Sequence, residues 1–542
     1  MPAGILIQDV IGPIMVGPSS SHTAGALAIA AMTRRLLEAE PKTVEFKLYG
    51  SFAYTYKGHG TDRALTAGIL GLGTDDPRVR DSLQLAQDRG VSVTFTPCPD
   101  EQCDHPNTVD ILVTAEGGHS VSVRGESIGG GAARLVQIDG MRVEVTGKSN
   151  SLVVRQRDVK GVLAYIASTL TSLDINIATV NMYRTGRGGE AFTVIELDEP
   201  LSAEGESALL NHPNVIGVRN LPAQIAGPTV GAGVVTPEQQ ERAADDYHTY
   251  HFRTGKSLIE RCDETGLPIS EVFLRRNACM FLRDGMPDPT DEYLHHALQI
   301  MRQSATAPLE APVESIGGLI GGEAFKVKQL NDAAPQELSV PMVAHMVQYA
   351  LAVLETNASM GCIVAAPTAG SAGVIPAALL ALQEAKGLSD GQLVRGLANA
   401  AAVGYLISRN ATVSGADGGC QAEVGSASAM AASAIVELTG GTPRQCLTAA
   451  SNALTNLMGL VCDPIAGLVE VPCQKRNATA AANALISAEI ALAGVENLVD
   501  FDQTVEAMRQ VGGSIPAELR ETALGGIAAT PSACDFCSGC MH

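Results

Sequence analysis

Residues 222–237 hold no charged side chain and are broken up by Gly and Pro, the make-up of a linker, and the chain changes character across them. Before them, short β-branched runs at 44–48, 91–95, 109–113 and 141–145 predict strands, and 25–38 and 82–89 read as helices. Beyond them strand signals nearly vanish. Segments 258–262, 272–283 and 342–355 carry apolar residues at the 3.6-residue helical period. Segments 426–438 and 478–492 are so rich in Ala and Ser that their helices must pack closely. At ~150 residues per domain, a chain of 542 residues is expected to form three or four units rather than one core.

Between these halves the rhythm is distinct. A strand is expected over 152–157, a helix opened by Asp158 and running to Leu173, and a strand over 175–184. A Gly-rich turn at 185–189, a strand over 191–197, a helix over 201–211 and a strand over 215–221 complete the order βαββαβ. That order is ferredoxin-like and resembles an ACT domain, the small amino-acid-sensing module, with 159–162 where such domains bind ligand. The expected architecture is multidomain: α/β over 1–150, ACT-like over 151–222, a linker over 223–244 and an all-α domain over 245–542.

Composition narrows the function. With 37 Lys plus Arg against 58 Asp plus Glu, the net charge of −21 argues against coating phosphates, so no nucleic-acid partner is expected. The apolar stretch 356–383 is interrupted by Pro367 and Pro376, and 397–408 is too short for ~30 Å of hydrocarbon, so no membrane partner is expected either. Residues 1–21 lack the cationic start of a signal peptide, which makes a cytoplasmic protein the expectation. In a reducing compartment the 12 cysteines are not expected to form a disulfide framework. Cys262, Cys279, Cys362 and Cys446 read as small core hydrophobes, and Cys98 and Cys103 near His105 give only a faint metal signal.

Cys420, Cys462 and Cys473 are different. Cys420 ends Ser-Gly-Ala-Asp-Gly-Gly-Cys, Cys462 precedes Asp463-Pro464, and Cys473 follows Pro472. Thiolates beside Gly or Pro suit an iron–sulfur cluster, whose sulfides accept backbone N–H groups, and three of them leave one iron open. Zinc is the rival, although structural zinc sites favour closely spaced pairs. A second motif, Gly17-Pro18-Ser19-Ser20-Ser21-His22-Thr23, offers hydroxyls and an imidazole at a turn into a helix. Lys57-Gly58-His59-Gly60-Thr61-Asp62 lets a His backbone approach a ligand closely beside a cation. Ala366-Pro367-Thr368-Ala369-Gly370-Ser371-Ala372-Gly373 is a small-residue break in an apolar stretch and could bind a carboxylate or an amine; Glu314–Gly318 and Gly321–Glu323 are weaker versions.

Together with His105-Pro106-Asn107-Thr108 and Arg476-Asn477, these motifs resemble the iron–sulfur L-serine dehydratases along essentially the whole chain. The resemblance is to the form often made of two polypeptides, a β part with an ACT domain and an α part with the cluster, here fused in that order. It implies conversion of L-serine to pyruvate and ammonia, in amino-acid catabolism and gluconeogenesis, by a homo-oligomer, a dimer in the first instance. It implies a 4Fe–4S cluster on Cys420, Cys462 and Cys473, with the Ser and His residues of the β part reaching into the same site. His59 or His22 would be the base, with Lys57 nearby. Ser19, Ser20, Ser21, Thr23, Asn107, Thr368, Ala369, Gly370 and Ser371 would hold substrate. In some relatives a C-terminal Cys occupies the open iron, which points to Cys540 in the C-x₂-C-x₂-C tail Cys534–Cys540, although a zinc-binding or merely oxidisable tail fits the spacing too. A pyridoxal-phosphate dehydratase is disfavoured because Gly129-Gly130-Gly131 has no lysine nearer than Lys148. An aconitase-like hydro-lyase, or an amino-acid or redox sensor, is the alternative.

Overall fold

The computed structural model describes residues 4–37, 39–147, 149–221, 235–333 and 340–540, without the side chains of 537–540. Its described residues divide into two units, one within 21–221 and one made of 4–20 with those from 235 to 540. Thus residues 4–20 do not group with the α/β unit, as the 1–150 boundary supposed. The cause is a strand pairing no local pattern reveals: Ile14–Val16 runs antiparallel to Cys362–Val364. Most of the expected linker, 222–234, lies outside the described residues. The helical unit begins at Pro237 rather than 245, because Thr236 and Gln239 form a capping box with Pro237 at the first helical position.

In the α/β unit a six-stranded sheet runs Ser92–Cys98, Pro41–Tyr49, Thr108–Ala115, Ser120–Gly129, Ala132–Ile138, Met141–Val145. Only its first pair is parallel. The helix Gly25–Arg35 lies on this sheet so closely that a Cβ on Gly125 would stand 2.2 Å from Ile29 Cγ2. The same unit carries the expected βαββαβ element, its strands ordered Val215–Leu221, Asn150–Arg157, Glu190–Leu197, Ile177–Arg184 and all antiparallel. Leu152, Val154, Val162, Ile166, Leu170, Ile195 and Leu209 fill its core. Asp158 does not open the helix: Gly161, at φ 95°, caps Val162–Ser172, while Asp158 accepts from Gly188 N and Arg184 Nη1, each at 3.2 Å.

The second unit is helical, and among its described residues after 235 the strand Cys362–Val364 stands alone. Its centre is Ser426–Leu438, buried from Ser426 to Val436. Small residues let the neighbouring helices close in: Ser428 Oγ donates to Ala480 O at 2.8 Å and Ser433 Oγ to Asn399 Oδ1 at 2.6 Å. Ser389–Gln392 and Thr442–Gln445 repeat the capping box of Thr236. Cys262, Cys279 and Cys446 are buried as core residues, and Cys362 is half-buried. Among the described residues no helix is long and apolar enough to cross a membrane.

The Glu314–Gly322 loop, one of the weaker motifs, is held from behind. Buried Glu470 accepts from Ser315 Oγ at 2.7 Å and from Gly317 N and Leu319 N at 2.9 Å. Glu355, fully buried, then accepts from Ala324 N at 2.8 Å and Gln474 Nε2 at 3.2 Å. Burial first, and then the Glu323 carboxylate, push the Glu355 carboxyl up to about 7. The folded state therefore keeps a proton that the unfolded chain has lost, so stability should fall as pH rises from 4.5 towards 7. The slope contributed is at most ~1.4 kcal/mol per pH unit. Urea midpoints of Glu355→Gln should be flatter across that window; an unchanged pH dependence would mean this carboxyl is not the group that titrates.

Candidate active site

In the helical unit the three singled-out cysteines converge, all buried. Cys420 caps a π-helical turn, Gln421–Gly425, that leads into Ser426–Leu438, and Cys473 opens the helix Cys473–Leu492. Both residues thus stand at helix starts, where the helix dipole favours negative charge. Cys462 is fixed by its backbone, donating to Leu519 O at 2.9 Å and accepting from Glu521 N at 2.8 Å. Burial pushes the Cys420 thiol up to about 12, helped by the Glu423 charge. Burial also raises Cys462 and Cys473 well above the ordinary thiol value, and the charges of neighbouring Cys residues add to it. Arg476 opposes this at Cys420 and Cys473. The guanidinium is anchored to Asp463 Oδ1 and Val461 O, both at 2.8 Å.

Glu423 links the cysteines to the Pro367 loop. Its Oε1 accepts from Thr368 Oγ1 at 2.8 Å and its Oε2 lies 3.9 Å from Cys462 Sγ. A Cβ on Gly415 would come within 2.6 Å of Glu423 Oε2 and 3.3 Å of Cys462 Sγ, so the glycine backbone packs directly against both. Thr368 and Ser371 are buried and bracket the short turn Ala369–Ser371. The first N–H groups of such a turn have no partner inside it. Its carbonyls are held from behind, Ala369 O by Asn357 Nδ2 at 2.9 Å and Gly370 O by Asn477 Nδ2 at 2.8 Å.

Three buried thiols with a cation beside them, two of them at helix starts, are a donor set that fits a sulfur-ligated cluster. Among the described residues no three Cys, His, Asp or Glu side chains stand close enough to share one ion. Cys103 Sγ donates to His105 O at 3.1 Å and Cys98 Sγ faces Thr96 O, so that pair is tied to its own backbone.

In the α/β unit the other motifs meet at one polar corner. The division between units falls inside the serine run: Ser19 and Ser20, both buried, count with the helical unit, and Ser21, His22 and Thr23 with the α/β unit. His22 and His59 are buried edge to face, ring centroids 4.5 Å apart, and His22 Nε2 is 2.8 Å from Ser51 Oγ. Thr23 Oγ1 donates to His59 O at 2.7 Å, Ser127 Oγ to Ser21 O at 2.7 Å, and Ser127 N to Asn107 O at 3.0 Å. Ser51 N donates to Pro106 O at 2.7 Å, which closes the ring of loops. Burial, and then the charge of His59, hold the His22 imidazole well below its ordinary value, so it is neutral at neutral pH. Lys57 is exposed, its amine 5.9 Å from the Tyr56 ring centroid.

Sequence reasoning missed Glu423, Ser51 and Ser127. For Glu423 the signal was present, one helical turn after Cys420 in an Ala-rich segment where a carboxylate has no solvent-facing reason to be. The tail Pro531–Cys540 is helical, with Cys534 exposed; the side chain of Cys540 lies outside the described residues.

Three family comparisons tile the chain. Residues 232–528 match the serine dehydratase alpha chain, 9–135 the serine dehydratase beta chain, and 150–213 the ACT domain. The L-serine dehydratase of Streptomyces coelicolor is 31% identical over 534 residues, 95% of this chain and 96% of its own. The probable L-serine dehydratase alpha chain of Bacillus subtilis is 46% identical over 281 residues, 52% of this chain and 92% of its own. The L-serine dehydratase beta chain of Peptoniphilus asaccharolyticus is 42% identical over 202 residues, 37% of this chain and 91% of its own.

Proposed function

Because the chain belongs to the serine dehydratase family, it is an enzyme, and we propose that it converts L-serine to pyruvate and ammonia with a 4Fe–4S cluster as cofactor. The observation that carries this reading is the convergence of Cys420, Cys462 and Cys473 beside Glu423, which Thr368 holds. These cysteines would hold the cluster, and Cys540 is the proposed displaceable fourth thiolate. When bound, the cluster would supply an iron with an open position, a Lewis acid for the serine hydroxyl.

The chain's own residues bind substrate and move its proton. The hydroxyls of Thr368 and Ser371 and the N–H groups of Ala369 and Gly370 suit the serine carboxylate, with Ser19, Ser20, Ser21 and Asn107 proposed to orient it. Thr23 fixes the loop that carries His59. His22 or His59 takes the α-proton, a role that needs a neutral imidazole, and Lys57 tunes the same loop. Loss of the α-proton and of hydroxide leaves aminoacrylate, which tautomerises to the imine and takes up water to give pyruvate and ammonia.

Replacing the proton-accepting His by Ala should lower kcat by ~10²–10⁴ with iron and sulfide content unchanged. If both His22→Ala and His59→Ala keep kcat and raise only KM, neither is the base.

A further inference from the structure

We propose that the helical unit carries a second site, for a phosphate-like dianion, formed by Arg253, Arg409 and His251 against the buried guanidinium of Arg276. Arg276 is only 2% exposed, and none of Arg253, Arg276 and Arg409 forms an ion pair with a carboxylate among the described residues. Its guanidinium stacks 4.4 Å from the Tyr405 ring centroid and 5.3 Å from that of Phe273, and Nη1 donates to Ile5 O at 3.2 Å. Two buried nitrogens here have no hydrogen-bond partner, Arg276 Nε and His251 Nδ1. A buried donor left unpaired costs free energy, and a buried cation without a counter-charge costs more.

The surroundings make the site cationic in a chain of net charge −21. Arg253 Nε lies 3.2 Å from His251 Nε2, and Asn410, next to Arg409, donates to Arg253 O at 3.0 Å. After burial itself, the charges of Arg276, Arg253 and Arg409 push the His251 imidazole down to about 4. Two helices end here, Pro237–Tyr250 and Asp390–Asn410, and each C-terminus offers roughly half a negative charge. Three guanidinium groups against those two ends leave about two positive charges uncompensated. Arginine's planar fork matches tetrahedral oxyanions, and Arg253 and Arg409 are exposed.

The test is calorimetric titration of the full-length holoenzyme with inorganic phosphate at constant ionic strength. Glycerol phosphate serves as a monoester arm, and acetate and L-serine as carboxylate arms. Saturable binding of one phosphate per chain is expected, weakened at least tenfold in Arg253→Ala/Arg409→Ala, whose exposed substitutions spare the fold and serine turnover. Tighter binding of glycerol phosphate would mark a phosphate ester as the ligand, and equal binding would mark free phosphate. Absence of saturable phosphate heat, equal affinity in the double variant, or binding of carboxylates alone overturns the proposal.

Discussion

Alanine at Cys420, Cys462 or Cys473 should each strip the chain of iron and acid-labile sulfide and reduce pyruvate formation to background. With three protein thiolates the cluster has no spare ligand, so the loss of one is expected to release it rather than loosen it. The fold should survive, because each change removes one sulfur from a buried spot whose walls are fixed by backbone contacts such as Cys462 N to Leu519 O. Cys446→Ala is the control. Cys446 is equally buried, but in the helix Pro443–Asn456 beside Ser433, Asn399 and Glu437, and its loss should cost stability alone. A site cysteine whose Ala variant keeps full iron, sulfide and turnover is not a ligand.

Asp463→Ala should be the most destabilising single change near the site, by about 3–5 kcal/mol. Its side chain is 3% exposed and accepts from Arg476 Nη2 and Ile527 N, each at 2.8 Å. Removing it leaves the Arg476 charge, 18% exposed, without its carboxylate and frees the segment around Gly526. The double variant Asp463→Ala/Arg476→Met should recover much of that loss, since the stranded charge is gone. Urea midpoints of the two variants check this; a double variant no better than the single would show that the cost lies in the Ile527 contact instead.

Local pattern was enough where an element's reasons are local. The βαββαβ order and the Ala-rich helices were legible because period, capping and turn chemistry lie within a few residues. The pairing of Ile14 with Val364 was not, since three residues of strand carry no signal apart from their distant partner. Ser120–Gly129 and Ala132–Ile138 were missed for another reason. Gly129, Gly130 and Gly131 read as a loop, whereas their φ values of 95°, 60° and 81° make a tight turn joining two strands. The site shows the same division. The Cys, Ser and His runs were visible as motifs, but Glu423, Ser51 and Ser127 matter through neighbours on other elements.

The most direct test of the account is one measurement on anaerobically purified, full-length protein: iron, acid-labile sulfide, visible absorbance, and the products formed from L-serine. The expected result is a broad visible shoulder with bound sulfide, and one pyruvate and one ammonia for each serine consumed. Serine left unchanged by cluster-loaded protein, or turned over equally well by protein without iron and sulfide, would contradict it.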